Sequence, residues 1–229
     1  MWLPRLQTEC CALCHEPDAA DGLCAGCLND LSALYTDRQQ NCPTCAAFSA
    51  GGQPCPECRI APPPLQAVWA TLDYRPPLPA LIHHWKHLRH IHLSAAIWTL
   101  MRGNPPPWLP ESDIDGVLAM PVSRKRRLLR GFNQSGELAQ ALAAAYRLPL
   151  LSHHSVLRRH KAPQSTLNRE QRLLNIRGSF HITAPIKAQH ILLIDDIMTT
   201  GSSLFELAYT LHDAGIRTSA WLLARNRSG

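Results

Sequence analysis

An α/β fold with a mostly parallel sheet, carrying a small cysteine-stapled module at its N-terminus, is what three features of the sequence predict. All nine cysteines fall before residue 59, three consecutive prolines follow at Pro62, Pro63 and Pro64, and from there on short apolar runs alternate with helical patterns. The expected organisation is a cysteine module over 1–59, a Pro-rich linker over 60–65 and an α/β domain over 66–229. A chain of 229 residues can bury one large core and support an appendage, but not two full α/β domains. Hydrophobic residues at 45% and charged residues at 17% exclude a chain disordered throughout. No apolar run approaches the roughly 20 residues that span a bilayer, and residues 1–9 lack the apolar stretch of a secretory signal. The expected location is the cytoplasm.

Eight of the cysteines form four Cys-x-x-Cys pairs: Cys11/Cys14, Cys24/Cys27, Cys42/Cys45 and Cys55/Cys58. Nine residues separate Cys14 from Cys24 and nine separate Cys45 from Cys55, so one unit repeats after 31 residues. Two residues between thiolates let a tight turn aim both sulfurs at one point about 2.3 Å away, and two such turns complete a tetrahedron. Zinc suits four soft thiolates, and the segment holds too few large apolar residues for a core of its own, so structural zinc, two ions in all, is expected to supply its folding free energy. A disulfide framework needs an oxidising compartment, and a redox Cys-x-x-Cys would not need four copies. Sequential pairing of the four turns is preferred, with an interleaved pairing left open. The result is a double zinc ribbon with Cys10 outside it.

In the larger part, Ala67–Asp73 reads as a strand, Leu78–Arg89 and Ile91–Arg102 as helices, and Gly103–Ser112, with four prolines, as a loop. Ile114–Val122 is a second buried strand, Gln134–Arg147 an Ala-rich helix and Ser155–Arg158 a short strand. Leu167–Asn175 looks helical, His190–Asp195 is a strand, Ser203–Ala214 a helix and Thr218–Ala224 the last strand. Such alternation implies a sheet covered on both faces.

The sharpest motif runs Ile191-Leu-Leu-Ile-Asp-Asp-Ile-Met-Thr-Thr-Gly-Ser-Ser203. Four apolar residues make a strand buried on both faces, and the twin carboxylates Asp195 and Asp196 stand where it emerges, at the carboxyl edge where ligand crevices form. Thr199, Thr200, Gly201, Ser202 and Ser203 then lead into a helix, so hydroxyls, backbone N–H groups and the positive helix end can converge on a phosphate. Two acceptors side by side suit a vicinal diol. A diol and a phosphate at this separation describe ribose 5-phosphate. Read blandly, the acids are solvated and the hydroxyls cap a helix.

This stretch resembles the phosphoribosyl-diphosphate (PRPP) motif of type I phosphoribosyltransferases, Asp195 and Asp196 matching the ribose-binding acids and Thr199 to Ser203 the 5′-phosphate loop. The whole chain resembles the ComF family of competence and DNA-utilisation proteins, including its GntX-like members. That resemblance rests on the cysteine block, on Val122-Ser-Arg-Lys-Arg-Arg-Leu-Leu-Arg-Gly-Phe-Asn-Gln-Ser135, and on Gln164, Arg169, Arg172, Asn175 and Phe180. It implies a sheet of the type I phosphoribosyltransferase kind, binding of PRPP or a related ribose phosphate, and a role in handling DNA taken up by the cell. Met198 and Ser203 depart slightly from the motif and keep the loop chemistry.

The net charge is +6 with a pI near 9.0, and Arg124, Lys125, Arg126, Arg127 and Arg130 lie within seven residues, so a polyanionic partner is expected. Arg124, Arg127 and Arg130 are candidates for a diphosphate, because guanidinium forks match phosphate oxygens bidentately. Arg158 and Lys161 belong to a second basic stretch resembling the mobile loop that closes over PRPP in related enzymes. Mg²⁺ is expected to arrive with the diphosphate rather than in a protein cage. Asn133 is expected to cap the helix that starts at Gln134. Three functions remain in view: a PRPP-binding protein with or without pentosyl transfer, a zinc-ribbon adaptor whose basic loops track single-stranded DNA or meet DNA-uptake proteins, and a nucleobase salvage transferase, for which no stretch identifies an acceptor pocket. Catalytic residues are not assigned.

Overall fold

The computed structural model describes residues 10–17, 19, 22–87, 93–122, 133–159 and 178–226. The cysteine block contributes two short helices, α1 (Ala25–Ser32) and α2 (Pro56–Ile60). Then come β1 (Val68–Asp73), α3 (Leu78–His87), α4 (Leu93–Gly103), β2 (Gly116–Ala119), α5 (Gln134–Tyr146), β3 (Val156–Arg158), β4 (Phe180–Ile182), β5 (His190–Met198), α6 (Ser202–His212) and β6 (Arg217–Arg225).

The main sheet runs β1-β6-β5-β2 with every neighbouring pair parallel. Its central strands β5 and β6 are apolar on both sides, and successive side chains divide between two cores. Leu192, Ile194, Trp221 and Leu223 face a core completed by Leu81 and Trp85 of α3, Ile97 and Leu100 of α4, and Leu138 and Leu142 of α5. Ile191, Leu193, Ala220 and Leu222 face the opposite core, closed by Leu204, Leu207 and Leu211 of α6. The expected α/β sheet covered on both faces is therefore present.

The cysteine block is built into this architecture. Cys11 joins the first core and Cys42, Cys45, Cys55 and Cys58 join the second. Tyr35 makes an antiparallel bridge to Leu72, Thr36 N–H donates to Thr71 O at 3.0 Å, and the Thr36 hydroxyl donates to Ala70 O at 2.5 Å. These bonds occupy the outer edge of β1, which would otherwise offer unpaired backbone groups to another chain.

Three details differ from expectation. β5 continues through Asp195 and Asp196 to Met198, so the twin acids lie within the strand, and Met198 still pairs with Arg225. β2 spans only Gly116–Ala119 of the predicted 114–122, and it does not extend to 122 because Pro121 has no N–H for a ladder. β4 was not foreseen; it pairs antiparallel with β3 in a separate two-stranded sheet. The helix expected over 167–175 lies outside the described residues. Among the described residues, no helix is long and apolar enough to cross a membrane.

Candidate functional site

The four Cys-x-x-Cys turns gather into two clusters, Cys11, Cys14, Cys24 and Cys27 in one and Cys42, Cys45, Cys55 and Cys58 in the other, with the sulfurs of each within 4.8 Å of one another. The pairing is sequential. Cys14 Sγ lies 3.6 Å from Cys24 Sγ, and Cys45 Sγ lies 3.7 Å from Cys55 Sγ. Sulfurs about 2.3 Å from a central ion in a tetrahedron stand about 3.8 Å apart, so the spacing and the donor set fit zinc. Backbone amides support the thiolates: Cys27 N–H donates to Cys24 Sγ at 3.4 Å and Cys55 N–H to Cys42 Sγ at 3.3 Å. The hydrogen bond from Cys45 lowers the Cys42 thiol to about 4, while burial pushes Cys58 up to about 12. Four crowded thiols cannot all ionise without a cation among them, which is the charge a divalent ion supplies. The second cluster is buried throughout and the first is partly exposed. Cys10 is exposed and belongs to neither.

At the carboxyl end of β5 the twin acids are taken up by different elements. Asp195 Oδ1 accepts from the Ser135 hydroxyl of α5 and from Asp196 N–H, both at 2.9 Å. Asp196 Oδ1 accepts from Ile197 N–H at 2.5 Å, and its Oδ2 pairs with Lys86 Nζ of α3 at 2.6 Å. Asp195 Oδ2 is thus the one carboxylate oxygen of the two residues without a partner among the described residues.

Beyond Met198 the chain turns into α6. Thr199 and Thr200 are exposed, and the Thr200 hydroxyl lies 2.8 Å from the Ser202 hydroxyl and accepts from Ser202 N–H at 3.4 Å. Gly201 makes the turn with φ +80°, and a Cβ there would sit 2.6 Å from the Phe205 ring and 2.7 Å from Met198 Cε. Its requirement is therefore both conformational and steric. Gly201→Ala is expected to cost about 1–3 kcal/mol from the left-handed backbone alone, read as a lowered midpoint in denaturant unfolding; an unchanged midpoint would contradict this placement.

Arg158 of β3 donates to the Ser203 hydroxyl at 3.1 Å and stacks 5.3 Å over the Phe180 ring. It also lines a cleft of about 1200 Å³ with Pro121, Val122, Asn133, Glu137 and His154. Asn133 occupies the N-cap position of α5 but makes no capping bond; its amide donates instead to Met120 O at 3.4 Å. The other basic candidates, Arg124, Arg127, Arg130 and Lys161, lie outside the described residues.

The structure therefore brings Asp195, Asp196, Thr199, Thr200, Gly201, Ser202, Ser203 and Arg158 to one end of the sheet. Sequence reasoning missed Lys86 and gave Ser135 no role. Lys86 sits 110 residues from Asp196, and no local spacing signals their contact.

Burial, reinforced by the neighbouring Asp196 carboxylate, pushes the Asp195 carboxyl up to about 7. An acid whose folded pKa is raised binds its proton more tightly in the native state, so its contribution to stability falls as pH rises from about 4 to about 7. Asp195→Asn keeps an oxygen for Ser135 and for Asp196 N–H while removing the charge. It is expected to raise the melting temperature at pH 8 and to flatten the fall between about pH 4 and pH 7, measured by differential scanning fluorimetry.

No family model matches the chain. DNA utilization protein YhgH of Shigella flexneri is 32% identical over 226 residues, covering 94% of this chain and 96% of the relative. Competence protein F of Haemophilus influenzae is 25% identical over 90% of this chain and 92% of its own. Competence protein ComFC of Bacillus subtilis is 32% identical over 43% of this chain and 39% of its own. The solved structure of Leishmania donovani UMP synthase overlaps 63% of this chain and 24% of its own at 16% identity and a TM-score of 0.33, too slight a likeness to carry an argument. With the paired cysteine clusters, the strand that carries the twin acids and near full-length similarity to YhgH, the chain belongs to the ComF family.

Proposed function

We propose that this chain binds PRPP or a related ribose phosphate at the β5–α6 turn and works in the cytosol in the uptake or utilisation of DNA. The observation that carries the ligand reading is the turn itself. A strand bearing two carboxylates passes through Thr199, Thr200 and the left-handed Gly201 into the N-terminus of an 11-residue helix. Hydroxyls and helix-end amides suit a 5′-phosphate, and Asp195 Oδ2 suits a ribose hydroxyl. Arg158 reaches the same turn through Ser203 and supplies a cation for a diphosphate. In this reading Arg124, Arg127, Arg130 and Lys161 serve the same anion, and Mg²⁺ enters with it. The fold is then that of a type I phosphoribosyltransferase. Transfer, where it follows, is displacement of diphosphate at the anomeric carbon, with the arginines stabilising the departing charge. The DNA role is supported by the names of the relatives, which are DNA-utilisation and competence proteins.

Calorimetry of the zinc-loaded chain with PRPP and Mg²⁺ tests the ligand reading. One exothermic site is expected, and absence of heat together with absence of thermal stabilisation would overturn it. A second reading, favoured by the basic surplus of +6, makes the chain a zinc-ribbon adaptor for single-stranded DNA. There the affinity for an oligonucleotide falls steeply with salt and PRPP has no effect on the protein.

A further inference from the structure

The ion pair between Lys86 and Asp196 bears on which ligands the twin acids accept. Two adjacent carboxylates at the end of a buried strand would ordinarily attract a divalent cation, because hard cations seek clustered oxygen ligands and like charges in a poorly solvated site repel. Here a side chain from a different element already occupies that role. Lys86 arrives from α3, its Nζ is 2.6 Å from Asp196 Oδ2, and the two side chains are only 13% and 12% exposed. Two further oxygens are also committed, Asp196 Oδ1 to Ile197 N–H and Asp195 Oδ1 to Ser135 and Asp196 N–H. A metal ion would have to break a charge-assisted bond held away from water and leave the ammonium without a partner, which is costly. A neutral hydroxyl approaching Asp195 Oδ2 disturbs none of these bonds.

We propose that Lys86 is the specificity-determining residue of the twin-acid site, an internal counter-ion that reserves the pair for the hydroxyls of a sugar and excludes free divalent cations. Lys86 touches Asp196 and needs no contact with the ligand to act in this way. The inference deepens the proposed function and rests on its assignment of the acids to a hydroxylated ligand. With Lys86 in place, Mg²⁺ would enter only as the partner of a diphosphate.

Mn²⁺ alone, titrated into the zinc-loaded full chain and followed by electron paramagnetic resonance, tests it. The wild type is expected to show no Mn²⁺ site that Asp196→Asn removes. Lys86→Met, a neutral chain of similar length, is expected to gain one site at least tenfold tighter than any in the wild type, and Lys86→Met with Asp196→Asn to lose it again. Lys86→Arg is expected to behave as the wild type. Should Lys86→Met fail to fold by circular dichroism, Lys86→Gln, whose amide still donates to Asp196, carries the same expectation. A wild-type Mn²⁺ site abolished by Asp196→Asn would overturn the proposal, as would a folded neutral variant that gains none. The PRPP titration reports separately on the ligand reading: a chain that ignores PRPP yet admits Mn²⁺ only when Lys86 is neutralised would sink that reading and leave the counter-ion role standing.

Discussion

Removal of zinc is expected to unfold the whole chain rather than the cysteine block alone. All four sulfurs of the second cluster are buried in the same core as Val68 and Ala70 of β1, Ile191 and Leu193 of β5 and Leu204 and Leu207 of α6. Losing the ion there leaves four crowded thiols inside the packing of the main sheet, and it also loosens the 34–36 segment that covers the β1 edge. Structural zinc contributes about 10–16 kcal/mol in zinc-finger peptides, as much as the about 5–15 kcal/mol by which a typical domain is stable. A strong chelator is therefore expected to release two equivalents of zinc, one per cluster, and to abolish the far-UV circular dichroism of the sheet and helices together. Cys42→Ser is expected to retain one equivalent and to melt more than 10 °C lower, since about 1 kcal/mol shifts a domain of this size by roughly 2–4 °C. Cys14→Ser is expected to do less, because Cys14 is exposed. Full dichroism after both ions are gone would contradict this coupling.

The second large effect concerns ligand affinity. With Asp195→Asn and Asp196→Asn combined, both charged acceptors at the end of β5 are lost while the side-chain volumes stay the same. Charge-assisted hydrogen bonds are about twice as strong as neutral ones, and losing the charged acceptor Asp195 Oδ2 together with the ion pair that holds Asp196 in place is expected to weaken PRPP binding at least about 100-fold, or roughly 2.7 kcal/mol. Calorimetry measures this, and the melting temperature of the double variant serves as the control for folding. Lys86 complicates this design: changing Asp196, alone or with Asp195, strands its ammonium, so the double Asn variant is best compared with the same variant plus Lys86→Met. Equal PRPP affinity in the wild type and the double Asn variant would remove the acids from the site.

What the sequence disclosed was local, and what it hid was not. The Cys-x-x-Cys turns announce themselves because both ligands of a pair come from one tight turn, and the 31-residue repeat favoured the sequential pairing seen in the two clusters while leaving an interleaved one open. β5 was legible because a strand buried on both faces must be apolar on both faces, whereas the left-handed backbone of Gly201 emerged only in the structure. Pairings across long separations left no such trace. Lys86 stands in a His-rich stretch whose helical pattern speaks only of α3 packing, and its partner is a strand end far along the chain. A short strand was expected at β3, but β4 is three residues, too short for an alternating pattern to register, so the pairing that carries Arg158 to Ser203 stayed hidden. The uptake of the β1 edge by Tyr35 and Thr36 was hidden for the same reason, since one bridge and a few hydrogen bonds impose no periodicity.

The most direct test of the central claim is a crystal structure of the zinc-loaded chain in complex with PRPP and Mg²⁺. The account expects the 5′-phosphate within hydrogen-bonding distance of the Thr199 to Ser203 turn and of the first amides of α6, a ribose hydroxyl on Asp195 Oδ2, and Mg²⁺ on the diphosphate with Lys86 still paired to Asp196. Density for PRPP elsewhere on the molecule, with this turn unchanged and empty, would contradict it.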